Sequence, residues 1–213
     1  MALIDDVRAK TKDTGQKLDD PGDYAAAVTE ALKRYSKHRP RLICEDLAGN
    51  STHDLAMPAG WTEGISAIVS VEYPVGTVPE TLLESDDWAE YMTPAGKKIR
   101  LMHDAPSAAE HVRVLYQAVH TEVTLPATDL EAVANLGASI CQRLLAALYA
   151  QTSDPTIGAD VVNYRSKADE FRRLADANEA QYNGHLGIGK DTPAAAAMAV
   201  AKPTDNKRVR LTH

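Results

Sequence analysis

Aromatic residues are scarce in this chain of 213 residues, which has one Phe and two Trp, so Leu, Val, Ile and Ala must fill any core. Cysteine is scarce too. Cys44 and Cys141 lie far apart in apolar-patterned segments, which reads as two buried free thiols in place of a disulfide. Motifs that carry chemistry are missing. None of the seven histidines, His38, His53, His103, His111, His120, His185 and His213, stands in H-E-x-x-H or another ligand spacing. No serine lies in G-x-S-x-G, and there is no Walker-type loop. Gly184, Gly187 and Gly189 follow a helix and not a strand, so they read as a helix cap and hinge, not a phosphate cradle. The acidic cluster Glu84, Asp86, Asp87 has no partner motif and reads as a solvated loop. No enzyme is expected, and no catalytic, cofactor-binding or metal residue is assigned.

The start, Met1-Ala2-Leu3-Ile4-Asp5-Asp6, has no basic stretch leading into an apolar run, so no signal peptide is expected and the compartment reads as cytosolic. Asn50-Ser51-Thr52 matches a glycosylation acceptor, which means nothing without secretion. Charge is unevenly spread. Of 23 basic and 30 acidic side chains, residues 188–213 hold five and two, a balance of +3. The remaining 18 and 28 leave residues 1–187 at −10, a poor surface for phosphates.

What is present is an order of patterns. Leu3, Ile4 and Val7 suggest a short helix. After Asp20-Pro21, the residues Tyr24, Val28, Ala31, Leu32 and Tyr35 recur at helical spacing. The basic run Lys33, Arg34, Lys37, His38, Arg39 suits the end of that helix, and Pro40 stops it. The period then changes to two. Segments 41–47 and 51–57 around Gly49-Asn50 read as a hairpin. Ile65, Ala67, Val69, Val71 and Tyr73 alternate up to Pro74. Residues 88–92 and 98–102 around Thr93-Pro94-Ala95-Gly96 read as a second hairpin, and Val112, Val114, Tyr116 and Ala118 as a further strand. Five or six short strands imply a small antiparallel sheet or sandwich.

Thr128-Asp129-Leu130-Glu131 has capping-box spacing ahead of a helix to about Ala150, with Leu130, Val133, Gly137, Ile140, Cys141, Leu144 and Leu148 as its main stripe. Asn135, Gln142 and Arg143 argue against a membrane span there. A charged helix is expected from about Ala159 to Asn183, with Gly184 as its stop. The tail beyond Gly187 has too little apolar content to fold alone, and disorder and docking on a partner are equal readings of it. The expected fold class is α+β: a helical-bundle core from residues 1–40 and 123–187, a large inserted antiparallel β subdomain at 41–122, and an extended C-terminal tail at 188–213.

Four stretches carry a resemblance: Ala31–Arg41; Trp61–Gly64 with Val71–Gly76; Ala132–Ala150; and Asp160–Ala168. Together they resemble the head–tail connector adaptors of tailed bacteriophages, also found in prophages and gene transfer agents. The resemblance implies a structural virion protein in a homo-oligomeric ring, usually twelve-fold, beneath the portal protein. It implies a neck or tail protein as the downstream partner, and genomic double-stranded DNA passing through the channel without sequence-specific binding. It also implies assembly in the host cytoplasm and a C-terminal segment that grips the portal. Lys202, Lys207, Arg208, Val209, Arg210 and Leu211 are the candidate partner-binding residues. The alternatives are a tail-completion or stopper protein, or a cytosolic enzyme or ligand-binding module uniting His103, His111 or His120 with acidic groups.

Overall fold

The computed structural model describes residues 2–151 and 161–189. They divide into two units, one built from residues 2–40, 119–151 and 161–189, the other from residues 41–118. The class is α+β.

The first unit is helical, with α1 (Leu3–Thr11), α2 (Gly22–His38), α3 (Leu130–Gln151) and α4 (Val161–Leu186). In α1, Asp5 and Asp6 sit in the first turn and Arg8 and Lys10 in the last, the arrangement that the helix dipole favours. Leu3 and Val7 point into the core, and Gly137 of α3 lets α1 approach: a Cβ there would lie 2.7 Å from Val7 Cγ2. The expected face of α2 is buried through Tyr24, Val28, Ala31 and Tyr35. Pro40 ends this helix, whose last amide bond runs from Arg39 N to Tyr35 O.

α3 is the central helix, with thirteen buried residues including Val133, Leu136, Cys141 and Leu145. Each large apolar side chain there contributes about 1.5–3 kcal/mol by burial. Three of its polar residues, Asn135, Ser139 and Gln142, are also inside. Gln142 Nε2 donates to Lys10 O at 3.2 Å, and Gln142 Oε1 accepts from Asn178 Nδ2 at 2.8 Å, so one amide ties α1 and α4 to α3. Three sequence expectations fail in this unit. Leu144 and Leu148 are 41% and 38% exposed, because the buried stripe runs through Cys141, Gln142, Leu145 and Tyr149 instead. The residue preceding α3 is Asp129, not Thr128, and Glu131 pairs with Lys10 at 3.3 Å instead of closing a capping box. α4 continues past Gly184 to Leu186. Gly187, at φ +69°, supplies the left-handed turn, with Ile188 N bonded to Asn183 O and Gly187 N to Gly184 O. That is a Schellman stop three residues later than expected.

The second unit has six strands: β1 (Arg41–Ala48), β2 (Asp54–Ala56), β3 (Ile68–Glu72), β4 (Trp88–Thr93), β5 (Gly96–Leu101) and β6 (His111–Ala118). They form two three-stranded antiparallel sheets, ordered β1-β6-β3 and β2-β5-β4. Alternation along β6 buries Val112, Val114, Tyr116 and Ala118, which pack with Val71 and, from the second sheet, Leu55, Ile99 and Leu101. The expected β4–β5 hairpin is present. The expected hairpin at Gly49-Asn50 is absent: β1 pairs with β6 along its whole length, and β2 goes to β5. Two local causes are visible. Gly49 N bonds to Glu110 O and Ser51 N to Pro106 O, which turns the chain away from β1. Arg100 then grips Asp54 with two bonds of 2.6 and 2.8 Å across the β2–β5 pair. The third strand starts at Ile68, and Ile65 belongs to a turn closed by its amide on Thr62 O.

Candidate interaction surfaces

In the helical unit the densest polar site converges on Asp129, which is 3% exposed. Its Oδ2 accepts from Tyr35 OH at 2.5 Å and from Arg39 Nη1 at 3.0 Å. Its Oδ1 accepts from Thr128 Oγ1 at 3.3 Å and lies 2.8 Å from His185 Nε2. Burial disfavours the charge, but the bonds from His185, Tyr35 and Arg39 outweigh it and hold the carboxyl at about 2. Burial and the bond to Asp129 push the Tyr35 phenol up. Nearby, His38 Nδ1 lies 2.7 Å from Tyr182 OH, and burial lowers the His38 pKa. Asp129 therefore fastens the ends of α2 and α4 to the start of α3. The sequence places Arg39 correctly at the end of α2, but part of its charge serves this carboxylate and not the helix dipole alone.

In the β unit the informative feature is the open face of the β1-β6-β3 sheet. Register puts Asp46, Arg113 and Glu72 in one row and Cys44, Leu115 and Ser70 in the next. The rows border a depression of about 560 Å³ that Glu80 and Leu82 also line. Arg113 binds Asp46 through bonds of 2.7 and 3.0 Å and reaches Glu72 at 3.4 Å. The bond to Arg113 lowers the Asp46 pKa. Glu72 is 5% exposed and also accepts from Gly76 N at 3.1 Å. Among the described residues Glu80 has no ion pair. Cys44 is exposed on this face, contrary to expectation, because it sits on the outward side of β1; Cys141 is buried as expected, and burial pushes its thiol up to about 11. Residues 41–118 hold five basic against twelve acidic side chains, a balance of −7. Residues 1–40 and 119–189 hold 13 against 16, a balance of −3. The acidic excess read along the sequence is thus concentrated in the β unit.

Of the three histidines of the enzyme alternative, one falls in the helical unit and two in the β unit. His120 belongs to the helical unit, where its amide bonds to Ser36 Oγ and its ring lies 3.0 Å from Thr124 O. His103, in the β unit, lies 3.7 Å from Asp87, and His111 is exposed at the start of β6. Among the described residues no group of three or more His, Cys, Asp or Glu could hold a metal ion, and no helix is long and apolar enough to cross a membrane. Trp61 packs against the β core 6.4 Å from the Tyr116 ring, as a core-facing tryptophan should. The candidate tail residues Lys202, Lys207, Arg208, Val209, Arg210 and Leu211 lie outside the described residues. Sequence reading missed the Asp129 site and the open sheet face. An aspartate beside a helix start was the only signal for the first, and the second depends on strand register.

No protein-family model and no curated protein matches the chain. Solved structures with some likeness include a chain of the virion of a native gene transfer agent particle, at 15% identity and TM-score 0.29, covering 80% of this chain and 86% of that one. Another comes from the neck of a native gene transfer agent particle computed with C12 symmetry, at 13% identity and TM-score 0.28, covering 72% and 82%. A third, from the neck of an empty particle computed with C6 symmetry, has 15% identity and TM-score 0.29 and covers 79% and 88%.

Proposed function

We propose that the chain is a structural subunit of a phage-like neck, a head–tail connector adaptor that assembles as a ring beneath a portal. The observation that carries this reading is the architecture. A six-stranded β unit is inserted between α2 and α3 of a helical core, and the stretches resembling connector adaptors fall largely on α2, β3, α3 and α4. Closed rings use heterologous interfaces, in which one patch of a subunit meets a different patch of the next. Leu144 on α3, exposed beside the ion pairs of Arg143 with Glu179 and Asp176, offers an apolar spot with a charged rim for such a contact. An acidic surface would suit a channel for DNA, since it repels phosphates and lets the duplex slide.

On this reading the tail grips the portal. Ile188 packs against the helical core and donates the bond that closes the stop of α4, so a clean deletion must begin after Gly189. Deletion of residues 190–213 is expected to leave the helical circular-dichroism signal intact and to weaken co-sedimentation with portal. Undiminished co-sedimentation would remove the tail from the contact.

A further inference from the structure

We propose that the open face of the β1-β6-β3 sheet is the docking site for the basic C-terminal segment, residues 202–211, of the same chain. The depression is lined by the exposed carboxylates of Asp46 and Glu80 and by buried Glu72, with one cation, Arg113, among its lining residues. Both Asp46 and Glu72 draw on that single guanidinium, and Glu80 has no ion pair among the described residues. The site therefore keeps a negative excess in a unit that is already at −7. Exposed Leu82 and half-buried Leu115 add apolar surface beside the carboxylates.

The segment Lys207-Arg208-Val209-Arg210-Leu211 is complementary in kind. In an extended chain Arg208 and Arg210 share one side, where their guanidiniums can pair with the exposed carboxylates of Asp46 and Glu80. Val209 and Leu211 share the other. Twelve residues separate Gly189 from Lys202, and the thirteen steps between those two residues span up to about 45 Å when extended. Such a tether holds the segment near its own chain at an effective concentration on the order of 1 mM, which makes the same chain the occupant over a second copy in dilute solution. The docked segment is held in reserve until a stronger partner displaces it. Ring formation and this docking are separate properties, and failure of one leaves the other standing.

Cys44 lines the same depression and gives the test its readout, because the second cysteine is buried. The full chain is treated with iodoacetamide, an uncharged reagent, and alkylation is followed by intact mass, with Cys44→Ser identifying the site. In low salt the wild-type Cys44 is expected to react about tenfold slower than in the charge-reversed tail K207E/R208E/R210E, as docking for ~90% of the time requires. Glu80→Lys should release Cys44 similarly, and so should ~1 M NaCl. Equal rates in wild type and the charge-reversed tail would overturn the proposal. Protection that grows with protein concentration would overturn it as well, since the occupant would then be a second copy.

Discussion

Replacing Asp129 with Asn removes one charge from a buried site while keeping its shape. Asn caps a helix about as well as Asp and still accepts from Tyr35, so the substitution isolates the carboxylate's charge. The structure holds that carboxyl at about 2 against an ordinary 3.8. At 1.36 kcal/mol per unit, the ionised form contributes about 2 kcal/mol to folding. Removing one member of a buried pair can cost ~3–5 kcal/mol. Here Arg39 and His185 are 46% and 38% exposed, so water takes up their freed polar groups and the lower figure applies. The folded-state pKa lies below the unfolded one, so the contribution is complete above about pH 5 and disappears as pH falls through about 2. Urea unfolding followed by far-ultraviolet circular dichroism reads the helical unit, which holds the four α-helices found among the described residues. Asp129→Asn should lose about 2 kcal/mol at pH 7 and almost nothing near pH 2. A loss under ~0.5 kcal/mol at pH 7, or an equal loss at both pH values, would mean that the Asp129 charge does not stabilise the helical unit.

Leu145→Ala should cost ~2–5 kcal/mol by opening a cavity under α3, whereas Leu144→Ala should cost well under that because its side chain already meets water; equal losses in urea titrations would put the buried face of α3 in the wrong place. Gly49→Ala sets a Cβ 2.2 Å from Ser107 O and 2.5 Å from Pro106 O, both backbone atoms, and should destabilise the β unit by roughly 1–3 kcal/mol. Both tryptophans, Trp61 and Trp88, lie in that unit, so fluorescence-monitored unfolding reads it; an unshifted midpoint would argue against the close approach of Gly49 to residues 106–107.

Local signals were legible where one residue decides an outcome. Pro40 ends α2, period-2 alternation finds β6, and Thr93-Pro94-Ala95-Gly96 marks the turn between β4 and β5. Choices among partners were not legible. Gly49-Asn50 has the composition of a hairpin turn, yet pairing of β1 with β6 along eight residues outcompetes it, and that contact spans about seventy positions of sequence. Burial on α3 was misjudged at Leu144 because nearly the whole helix is apolar, so periodicity could not say which side the neighbours cover. Gln142, read only as a polar interruption, is a buried bridge, since its partners Lys10 and Asn178 come from opposite ends of the chain. The candidate sites were least legible: Asp129 gathers Tyr35, Arg39 and His185 from three segments, and only the fold brings them together.

Electron microscopy of the purified full chain, alone and mixed with its portal, shows whether the subunits close into a ring. Closed rings of uniform subunit number that bind portal coaxially are expected. Particles that stay monomeric at micromolar concentration and ignore portal would contradict it.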